Sequence, residues 1–398
     1  MARIVVMQPY VPTYRAPLFA ALDRRLRDAG HELVIASGAP LGAQAKRLDS
    51  AEVEGVRHRD LSIRLIRLGP IQLRLTRSRP VWRDADVVVA ELAAGSLATY
   101  AALLQRRRAV AVWGHVDAFV ASDTRLTRWL RRWQTRRAAH VLAYTDRGAA
   151  VARSWGVPAQ RITVLHNTID TVALRHAVEQ NRLTSTQAEI RDEFGLGPGP
   201  VFAMIGGIDA SKRVDLVVSA LEELWGRRPD IQLIVGGRGD LESDFDRARE
   251  RGQVRLLGHV DDEQKGRIAR IAVALVNPGR VGLIAVESMT MALPIITTTT
   301  ARHGPEFEYL TPGVDAVVCA PEARAIADEL VRLVDHPAAA STLQSAIARK
   351  AEGAQLSDMV DRFVQAVDLL ARGNESRGRR FRRRRSEVPP QEQQEQGI

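Results

Sequence analysis

Short apolar runs rich in β-branched residues alternate with helix-like segments along most of this chain. After the first run, Leu18, Leu22 and Leu26 recur at every fourth position, which gives a helix over residues 18–29 a single apolar stripe. Such alternation predicts a mainly parallel sheet. The strand-like runs of the first half are residues 3–7, 32–36, 86–90, 109–113, 140–144 and 162–165.

A second series of the same kind begins beyond residues 195–200, where three glycines and two prolines allow no regular element to continue. We place the hinge there. The second series predicts strands at 201–205, 231–235, 254–257, 273–276 and 294–298, and helices at 213–226, 262–271 and 283–292. Because 398 residues exceed the size at which one core stops growing, we predict an α/β fold of two Rossmann-like domains that face each other across a cleft.

The predicted domains are residues 1–175 and 176–355. Helical spacing of apolar residues predicts a C-terminal helix over 356–372, which could pack back on the N-terminal domain. Residues 373–398 are nearly free of apolar side chains, and we expect a disordered basic tail there.

Composition and missing motifs exclude several classes of protein. No apolar run approaches the ~20 residues of a membrane span, and the N-terminus lacks a signal-peptide layout, so we expect a cytoplasmic protein. Cys319 is the single cysteine, which excludes an internal disulfide and leaves no zinc-ligand spacing, so we expect no structural metal site. The chain lacks a P-loop and a GxSxG motif, and residues 236–239 lack GxGxxG spacing, so hydrolases and NAD enzymes are disfavoured.

Residues 273–294 combine a buried strand, a glycine-containing loop and a helix start near Gly282 and Leu283. The free backbone N–H groups of such a helix start form a seat for a phosphate. Glu287 follows about one turn later, where its carboxylate suits sugar hydroxyls such as those of a ribose. The alternative is that Glu287 is a solvated helix residue.

Gly206 and Gly207 end another predicted strand, and Lys212 and Arg213 follow at the start of the next helix. Cations at that position oppose the helix dipole, and a bound pyrophosphate would remove the conflict. The alternative is a lysine that faces solvent.

Further polar residues follow predicted strands at their carboxyl ends, where open α/β sheets bind ligands. His303 and Glu306 flank a Gly-Pro turn, although an ordinary turn is an equal alternative. His115 follows the strand at 109–113, and its imidazole can hold a sugar hydroxyl, although a lone histidine is more often structural. Tyr14 and Arg15 lie in a proline-rich loop after the first strand and are expected to project toward the cleft.

In content and order, these segments resemble the GT-B glycosyltransferases of the retaining "group 1" or family 4 class, over residues 1–372. The segments that carry the resemblance are Gly114-His115, Tyr144-Thr145-Asp146, the turn at 166–170, the Gly-Gly pair with Lys212, the segment 257–260, and Asn277 to Glu287 with the following Ala-Leu-Pro.

The resemblance implies a metal-independent hexosyltransferase that needs no cofactor and takes a nucleotide diphosphate sugar as co-substrate. The N-terminal domain would bind the acceptor and the C-terminal domain the nucleotide sugar, and the departing phosphate oxygen would take the acceptor proton. The residues with implied roles are Lys212 and the amides of Gly282, Leu283 and Ile284 for the diphosphate, Glu287 for the ribose, His115 for the transferred sugar, Gly206, Gly207, Arg213, His303 and Glu306 for the donor, and Tyr14 and Arg15 for the acceptor.

The chain departs from the family pattern at two positions. Gly279 stands where the family usually has the first glutamate of a Glu-x7-Glu pair, and Gly207 stands where it often has an arginine. Glu306 could substitute for the former, and Arg213 or Arg280 for the latter. The form NPGxVGL with a later HxPE resembles a branch associated with surface polysaccharides and the cell envelope, so we expect a glycan or lipid-linked acceptor.

Two arginine-rich segments suit the inner surface of an anionic membrane. Arg125–Arg137 predicts a helix with Leu126, Trp129, Leu130 and Trp133 on one side, although a solvated basic face is an equal alternative. The second segment runs from Arg377 to Arg385. No nucleic-acid recognition fold accompanies them, so nucleic acid is not expected as a partner.

Two other functions stay open at this point. A sugar-nucleotide 2-epimerase shares the two-domain architecture, and a non-catalytic envelope scaffold could use the basic segments alone.

Overall fold

The computed structural model describes residues 1–41, 50–68, 71–105, 107–117 and 124–386, and gives only the backbone of Leu68, Ile71 and residues 375–386. These residues form two compact units. The first contains Met1–Val116, Thr124–Leu165 and the chain from Val360 onward, and the second contains His166–Met359.

The first unit is built on a parallel sheet. Its strands are β1 (Arg3–Gln8), β2 (Glu32–Ser37), β3 (Arg57–Asp60), β4 (Ile63–Leu68), β5 (Ile71–Thr76), β6 (Val87–Glu91), β7 (Ala109–Gly114), β8 (His140–Ala143) and β9 (Ile162–Val164). Seven of them pair in the order β3-β2-β1-β6-β7-β8-β9, whereas β4 and β5 form a separate antiparallel hairpin. The strand order reverses between β1 and β6, which makes that point the switch point of the sheet.

Amphipathic helices cover this sheet. They are α1 (Ala16–Asp28), α2 (Arg79–Trp82), α3 (Leu97–Leu104), α4 (Arg125–Arg137) and α5 (Asp146–Ser154). The predicted stripe of α1 is confirmed, because Leu18, Leu22 and Leu26 are all buried. Pro17 lies in the first turn of that helix, where its missing N–H leaves no hydrogen bond unmade.

The second unit contains another parallel sheet. Its strands are β10 (Val201–Ile205), β11 (Gln232–Gly236), β12 (Val254–Gly258), β13 (Ala272–Val276), β14 (Ile295–Thr298) and β15 (Ala316–Cys319). They pair in the order β12-β11-β10-β13-β14-β15, so the switch point lies between β10 and β13.

Both faces of this second sheet are buried. Along β10, Val201, Ala203 and Ile205 belong to one apolar cluster, whereas Phe202 and Met204 belong to another. Burial on both faces explains why β10 is a continuous apolar run rather than an alternating one. The covering helices are α6 (Val172–Thr184), α7 (Gln187–Glu193), α8 (Val214–Trp225), α9 (Asp246–Glu250), α10 (Asp262–Ile271), α11 (Ile284–Met291), α12 (Ala323–Asp335) and α13 (Pro337–Ala348).

The division between the units lies ahead of the boundary predicted after residue 175, which falls inside α6. The glycine- and proline-rich stretch at 195–200, predicted as the hinge, lies within the second unit and leads from α7 into β10. The reason is that the apolar residues of α6 and α7, including Leu174 and Ile190, pack into the core of the second sheet.

The chain ends in one long helix, α14 (Leu356–Ser386), which passes from the second unit into the first between Met359 and Val360. Phe363 packs edge-on against Trp113 of β7 at a ring distance of 5.4 Å. The expected disorder from residue 373 is wrong as far as Ser386, because glutamate and arginine favour a helix and no proline interrupts it before Pro389. Residues 387–398 lie outside the described part.

Candidate active site

The loops that follow β10 and β13 meet at the switch point of the second sheet. A 3-10 turn at Ala210–Lys212 begins with Asp209, whose carboxylate accepts a hydrogen bond from the Ser211 N–H at 2.8 Å. The Nζ of Lys212 donates to the carbonyl oxygen of Arg280 at 2.8 Å, and the Arg280 N–H donates back to the Ser211 carbonyl at 2.7 Å. Sequence reasoning predicted both segments, and the structure brings them together.

Close backbone approach at this junction requires glycine. A Cβ on Gly279 would collide with the Ser211 carbonyl oxygen and the Lys212 backbone. Gly206 has a φ of +126°, and a Cβ there would lie 3.4 Å from the Cε of Lys212. Gly279 therefore lets the loop that follows β10 and carries Lys212, called the lysine loop (residues 206–213), lie directly on the loop after β13. This close approach leaves no room for the family's glutamate at position 279.

The charge of Lys212 is held in an unfavourable environment. Burial, together with the positive charge of Arg280, lowers the pKa of Lys212 to about 8. Arg213, by contrast, adopts a left-handed conformation and pairs with Asp215 at 2.7 Å. Of these two neighbouring cations, Lys212 is therefore the one whose charge a bound anion would stabilise.

The helix start predicted to bind phosphate lies beside this lysine loop. The first residue of α11 is Ile284, Leu283 is its N-cap, and no side chain caps it. The first N–H groups of a helix have no intrahelical partner, so the amides near Gly282, Leu283 and Ile284 are suited to an anion.

His303 and Glu306 approach the same loop from the segment after β14. The Nδ1 of His303 accepts a hydrogen bond from the Val281 N–H at 3.2 Å, and the imidazole stacks on Phe307 with 3.7 Å between ring centroids. Burial and the nearby charge of Lys212 lower the pKa of His303 to about 4. The ring is therefore neutral at pH 7, and its Nδ1 acts as an acceptor.

Glu306 is buried, and its Oε1 accepts a hydrogen bond from the Nδ2 of Asn167 at 2.6 Å. Its Oε2 lies close enough to Gly282 that a Cβ on that glycine would be 3.9 Å away. A carboxylate beside the helix start suits hydroxyl donors better than phosphate oxygens.

Glu287 is fixed by a residue that sequence reasoning missed. It lies in the first turn of α11, and its Oε1 accepts a hydrogen bond from the Nζ of Lys265 on α10 at 2.8 Å. Burial opposes the charge of Lys265, but Glu287 and Asp262 hold its pKa above the ordinary value. The ion pair with Lys265 therefore holds the Glu287 carboxylate in one orientation.

Tyr14, Arg15 and His115 lie in the first unit. His115 is exposed after β7, and its ring lies 4.7 Å from that of Tyr144. Tyr14 is 39% exposed, whereas Arg15 is only 7% exposed and donates from Nη2 to the Tyr144 hydroxyl at 2.7 Å. Their expected roles toward sugar and acceptor stay predictions.

Helix α4 has a basic, partly apolar surface. It carries six arginines and no acidic residue, and Leu126 and Trp129 are 51% and 59% exposed. Its inner face is fixed by buried Gln134, whose Nε2 donates to the Ala93 carbonyl at 3.0 Å, and by Trp133, which stacks on Tyr100. Of the four residues predicted on one apolar side, Trp133 therefore packs inward against α3.

Within the described residues, no group of three or more His, Cys, Asp or Glu side chains is arranged to hold a metal ion. In the same part of the chain, no helix has the length and apolar character needed to span a bilayer.

Two family models match this chain, one over each half. The model described as Glycosyltransferase Family 4 matches residues 19–173, and the model described as Glycosyl transferases group 1 matches residues 199–336. The second match contains the lysine loop and the start of α11.

One curated relative is the alpha-D-kanosaminyltransferase of Streptomyces kanamyceticus. It is 29% identical over 220 residues, which are 53% of this chain and 55% of that protein. The chain therefore matches about half the length of this relative.

Solved structures resemble the chain over nearly its whole length. HepE of Anabaena in complex with UDP has a TM-score of 0.66 at 14% identity, over 92% of this chain and 100% of that one. The UDP-GlcNAc 2-epimerase of Neisseria meningitidis, bound to UDP-GlcNAc, has a TM-score of 0.60 at 12% identity, over 91% and 100%. The fold is GT-B, as the sequence predicted, and the fold alone does not separate a transferase from an epimerase.

Proposed function

Since this chain belongs to the group 1 and family 4 glycosyltransferases, we propose that it transfers a hexosyl group from a nucleotide diphosphate sugar to a glycan or lipid-linked acceptor of the cell envelope. The observation that carries the proposal is the junction of Lys212 with the loop before α11. Within the described residues, no carboxylate contacts the partly buried Lys212. This cation and the uncapped start of α11 converge there, and a diphosphate is the ligand that satisfies both.

The donor would be bound through its diphosphate and its ribose. Lys212 and the amides of Gly282, Leu283 and Ile284 would hold the phosphates, and the Gly206-Gly207 turn allows them to approach the backbone closely. Glu287, oriented by Lys265, would accept hydrogen bonds from the ribose hydroxyls. Neutral His303 and buried Glu306 would contact the sugar.

We propose that the reaction retains the anomeric configuration and needs no metal. The bond between the anomeric carbon and the phosphate oxygen breaks, and the acceptor oxygen forms the new bond on the same face. The departing phosphate oxygen takes the acceptor's proton. Lys212 and the helix start stabilise the developing negative charge, which is the main contribution that preorganised groups make to such a reaction.

The exposed face of α4 supports a location at the inner surface of a membrane. Trp129 lies among arginines on that face, and such residues bind anionic headgroups while the indole enters the interface. A lipid-linked acceptor would be reached there without a membrane span.

The first experiment measures thermal unfolding with UDP, GDP, ADP and dTDP. A ligand that binds the native state raises the free energy of unfolding by RT ln(1 + [L]/Kd). We expect one nucleotide to stabilise the wild type and Lys212→Ala to lose that stabilisation. The control is Arg227→Ala, which removes an exposed cation paired with Asp328 elsewhere in the same unit. Stabilisation of Lys212→Ala equal to that of wild type would remove this lysine from the site.

The second experiment incubates the protein with the nucleotide sugar alone. Release of the free sugar by slow transfer to water fits a transferase, whereas formation of an epimerised nucleotide sugar would identify a sugar-nucleotide 2-epimerase. Absence of binding by every nucleotide would favour a scaffold.

The third experiment measures sedimentation with vesicles of phosphatidylglycerol or phosphatidylcholine. We expect binding to the anionic vesicles, weakened by Trp129→Ala. The control Trp225→Ala removes a 39% exposed tryptophan of the second unit and should bind as the wild type does. Equal binding to both vesicle types would contradict the proposed membrane contact.

A further inference from the structure

Arg15 is a buried cation in the first unit. It ends the 3-10 turn Thr13–Arg15 between β1 and α1 and is only 7% exposed. Its guanidinium carbon lies 4.6 Å from the ring centroid of Trp113, 5.5 Å from that of Tyr144 and 5.6 Å from that of Tyr14. Three aromatic rings therefore surround the charge.

No carboxylate in the described part of the chain forms an ion pair with Arg15. Its Nη2 donates to the Tyr144 hydroxyl at 2.7 Å, but its Nη1 is buried and has no hydrogen-bond partner there. Burial opposes the charge, yet the phenol groups of Tyr144 and Tyr14 raise the pKa of Arg15, so the guanidinium stays ionised. A buried, ionised group with an unused donor is costly unless it serves a ligand.

The position of Arg15 is one at which parallel sheets bind ligands. The residue follows β1, which borders the switch point of the first sheet. Trp113 lies near the carboxyl end of β7, and Tyr144 follows β8. The rings and the guanidinium are thus gathered at the carboxyl ends of β1, β7 and β8, of which β7 and β8 are neighbours and β6 separates β7 from β1.

We propose that Arg15 binds an oxyanion carried by the acceptor, so that the acceptor of the proposed transfer is an acidic molecule. The anion is a phosphate or a carboxylate, because the planar guanidinium can donate two parallel hydrogen bonds to either group. This inference rests on the proposed function. The donor diphosphate does not supply the anion, because Lys212 and the start of α11 account for it in the second unit.

We expect an anion to reach Nη1 past the Tyr14 side chain. The Tyr14 ring is the most exposed of the three and lies over the guanidinium, whereas Trp113 is 1% exposed. Binding therefore requires the Tyr14 side chain to turn aside, and the anion then replaces contacts of this ring with hydrogen bonds from Arg15.

The test uses calorimetry on the full chain carrying Lys212→Ala, which removes the proposed donor phosphate site. The probes are inorganic pyrophosphate and glucuronate, and sodium chloride at equal ionic strength serves as the blank. We expect one of the two probes to bind. Binding of pyrophosphate would indicate a phosphate-bearing acceptor, and binding of glucuronate would indicate a carboxylate-bearing one. Adding Arg15→Met, which keeps an unbranched apolar stem but removes the guanidinium and its charge, should weaken that binding at least ten-fold.

Arg15→Lys keeps the charge without the planar fork and should recover only part of the affinity. Tyr14→Ala, at a half-exposed position, should tighten binding several-fold because it removes the cover. Affinities unchanged by Arg15→Met, or by Tyr14→Ala if Arg15→Met does not fold, would overturn the inference. UDP binding by the wild type is measured separately, so failure of the donor site and failure of the Arg15 site give different results.

Discussion

The Nζ of Lys265 lies 2.8 Å from the Oε1 of Glu287, which joins helix α10 to the first turn of α11. A carboxylate at a helix start interacts favourably with the dipole but is free to rotate. Lys265 restricts that rotation, and both side chains are largely buried, with 14% and 17% of their surface exposed. The ribose contact proposed for Glu287 therefore depends on a residue of a different helix.

Lys265→Met should weaken donor binding without removing the carboxylate. We expect the KM for the nucleotide sugar to rise about five-fold with a smaller change in kcat, because Glu287 loses its fixed orientation. Steady-state kinetics with varied donor measure the effect. Arg267→Met is the matched control, since Arg267 lies on the same helix but pairs with Glu193 and Glu263. A Glu287→Gln protein that loses a further five-fold on adding Lys265→Met would contradict this dependence.

The sequence predicted the two loops of the site because their glycines and their position after apolar runs are local signals. It missed Lys265 because the pairing is between two helices and no spacing rule connects them. One signal was available: the chain has only four lysines among 57 basic residues. The structure shows a specific partner for three of them, with Lys212 on the Arg280 carbonyl, Lys265 on Glu287 and Lys350 on Asp315.

The predicted strands and helices of the second sheet agree with the structure to within one or two residues. Strands such as β10 and β14 are buried along their whole length, and helices such as α8 have a clear apolar stripe. The hairpin β4-β5 was missed. Its strands, IRLIRL and IQLRLT, mix polar with aliphatic residues, and Ile66 and Leu75 are exposed, so no buried run marks them. The division at residue 165 was missed for a related reason, since α6 is polar on one side and its packing is tertiary.

Gly279→Glu should not restore the family pattern. A side chain at this position would collide with the Ser211 carbonyl and the backbone of Lys212, so the lysine loop must move. We expect donor affinity to fall at least ten-fold and the free energy of unfolding to fall by about 1–3 kcal/mol. Gly279→Ala should act in the same direction, whereas the control Gly353→Ala meets nothing within 4 Å. Urea unfolding and nucleotide titration measure both effects, and improved turnover by Gly279→Glu would contradict the steric argument.

Removing residues 376–398 should separate membrane association from donor binding. Two described contacts of α14 with the rest of the first unit lie before the cut, namely the Arg25–Asp361 ion pair and the hydrogen bond from Asn374 to the Asp86 carbonyl. We therefore expect unchanged nucleotide binding and weaker sedimentation with phosphatidylglycerol vesicles, since each lost arginine contributes about 1 kcal/mol near an anionic surface. The control deletion of residues 387–398 removes no arginine and should associate as the full chain does. Loss of nucleotide binding in the longer deletion would give the tail a different role.

Nucleotide affinity should fall as the pH rises through about 8. Burial and Arg280 lower the pKa of Lys212 to about 8 in the free protein, so the lysine loses its charge above that pH and up to ten-fold in affinity is lost per pH unit. The phosphate groups do not mask this change, because their last proton leaves near pH 6.

The stability of the protein should change in the opposite direction. Between pH 8 and 10.5 the lysine of the unfolded chain binds a proton that Lys212 of the folded chain does not, so the free energy of unfolding rises with pH. Lys212→Arg should abolish both trends in this range, since arginine stays charged. Calorimetric titrations from pH 6 to 10 measure the affinity, and an equal decline in Lys212→Arg would assign the titration to another group.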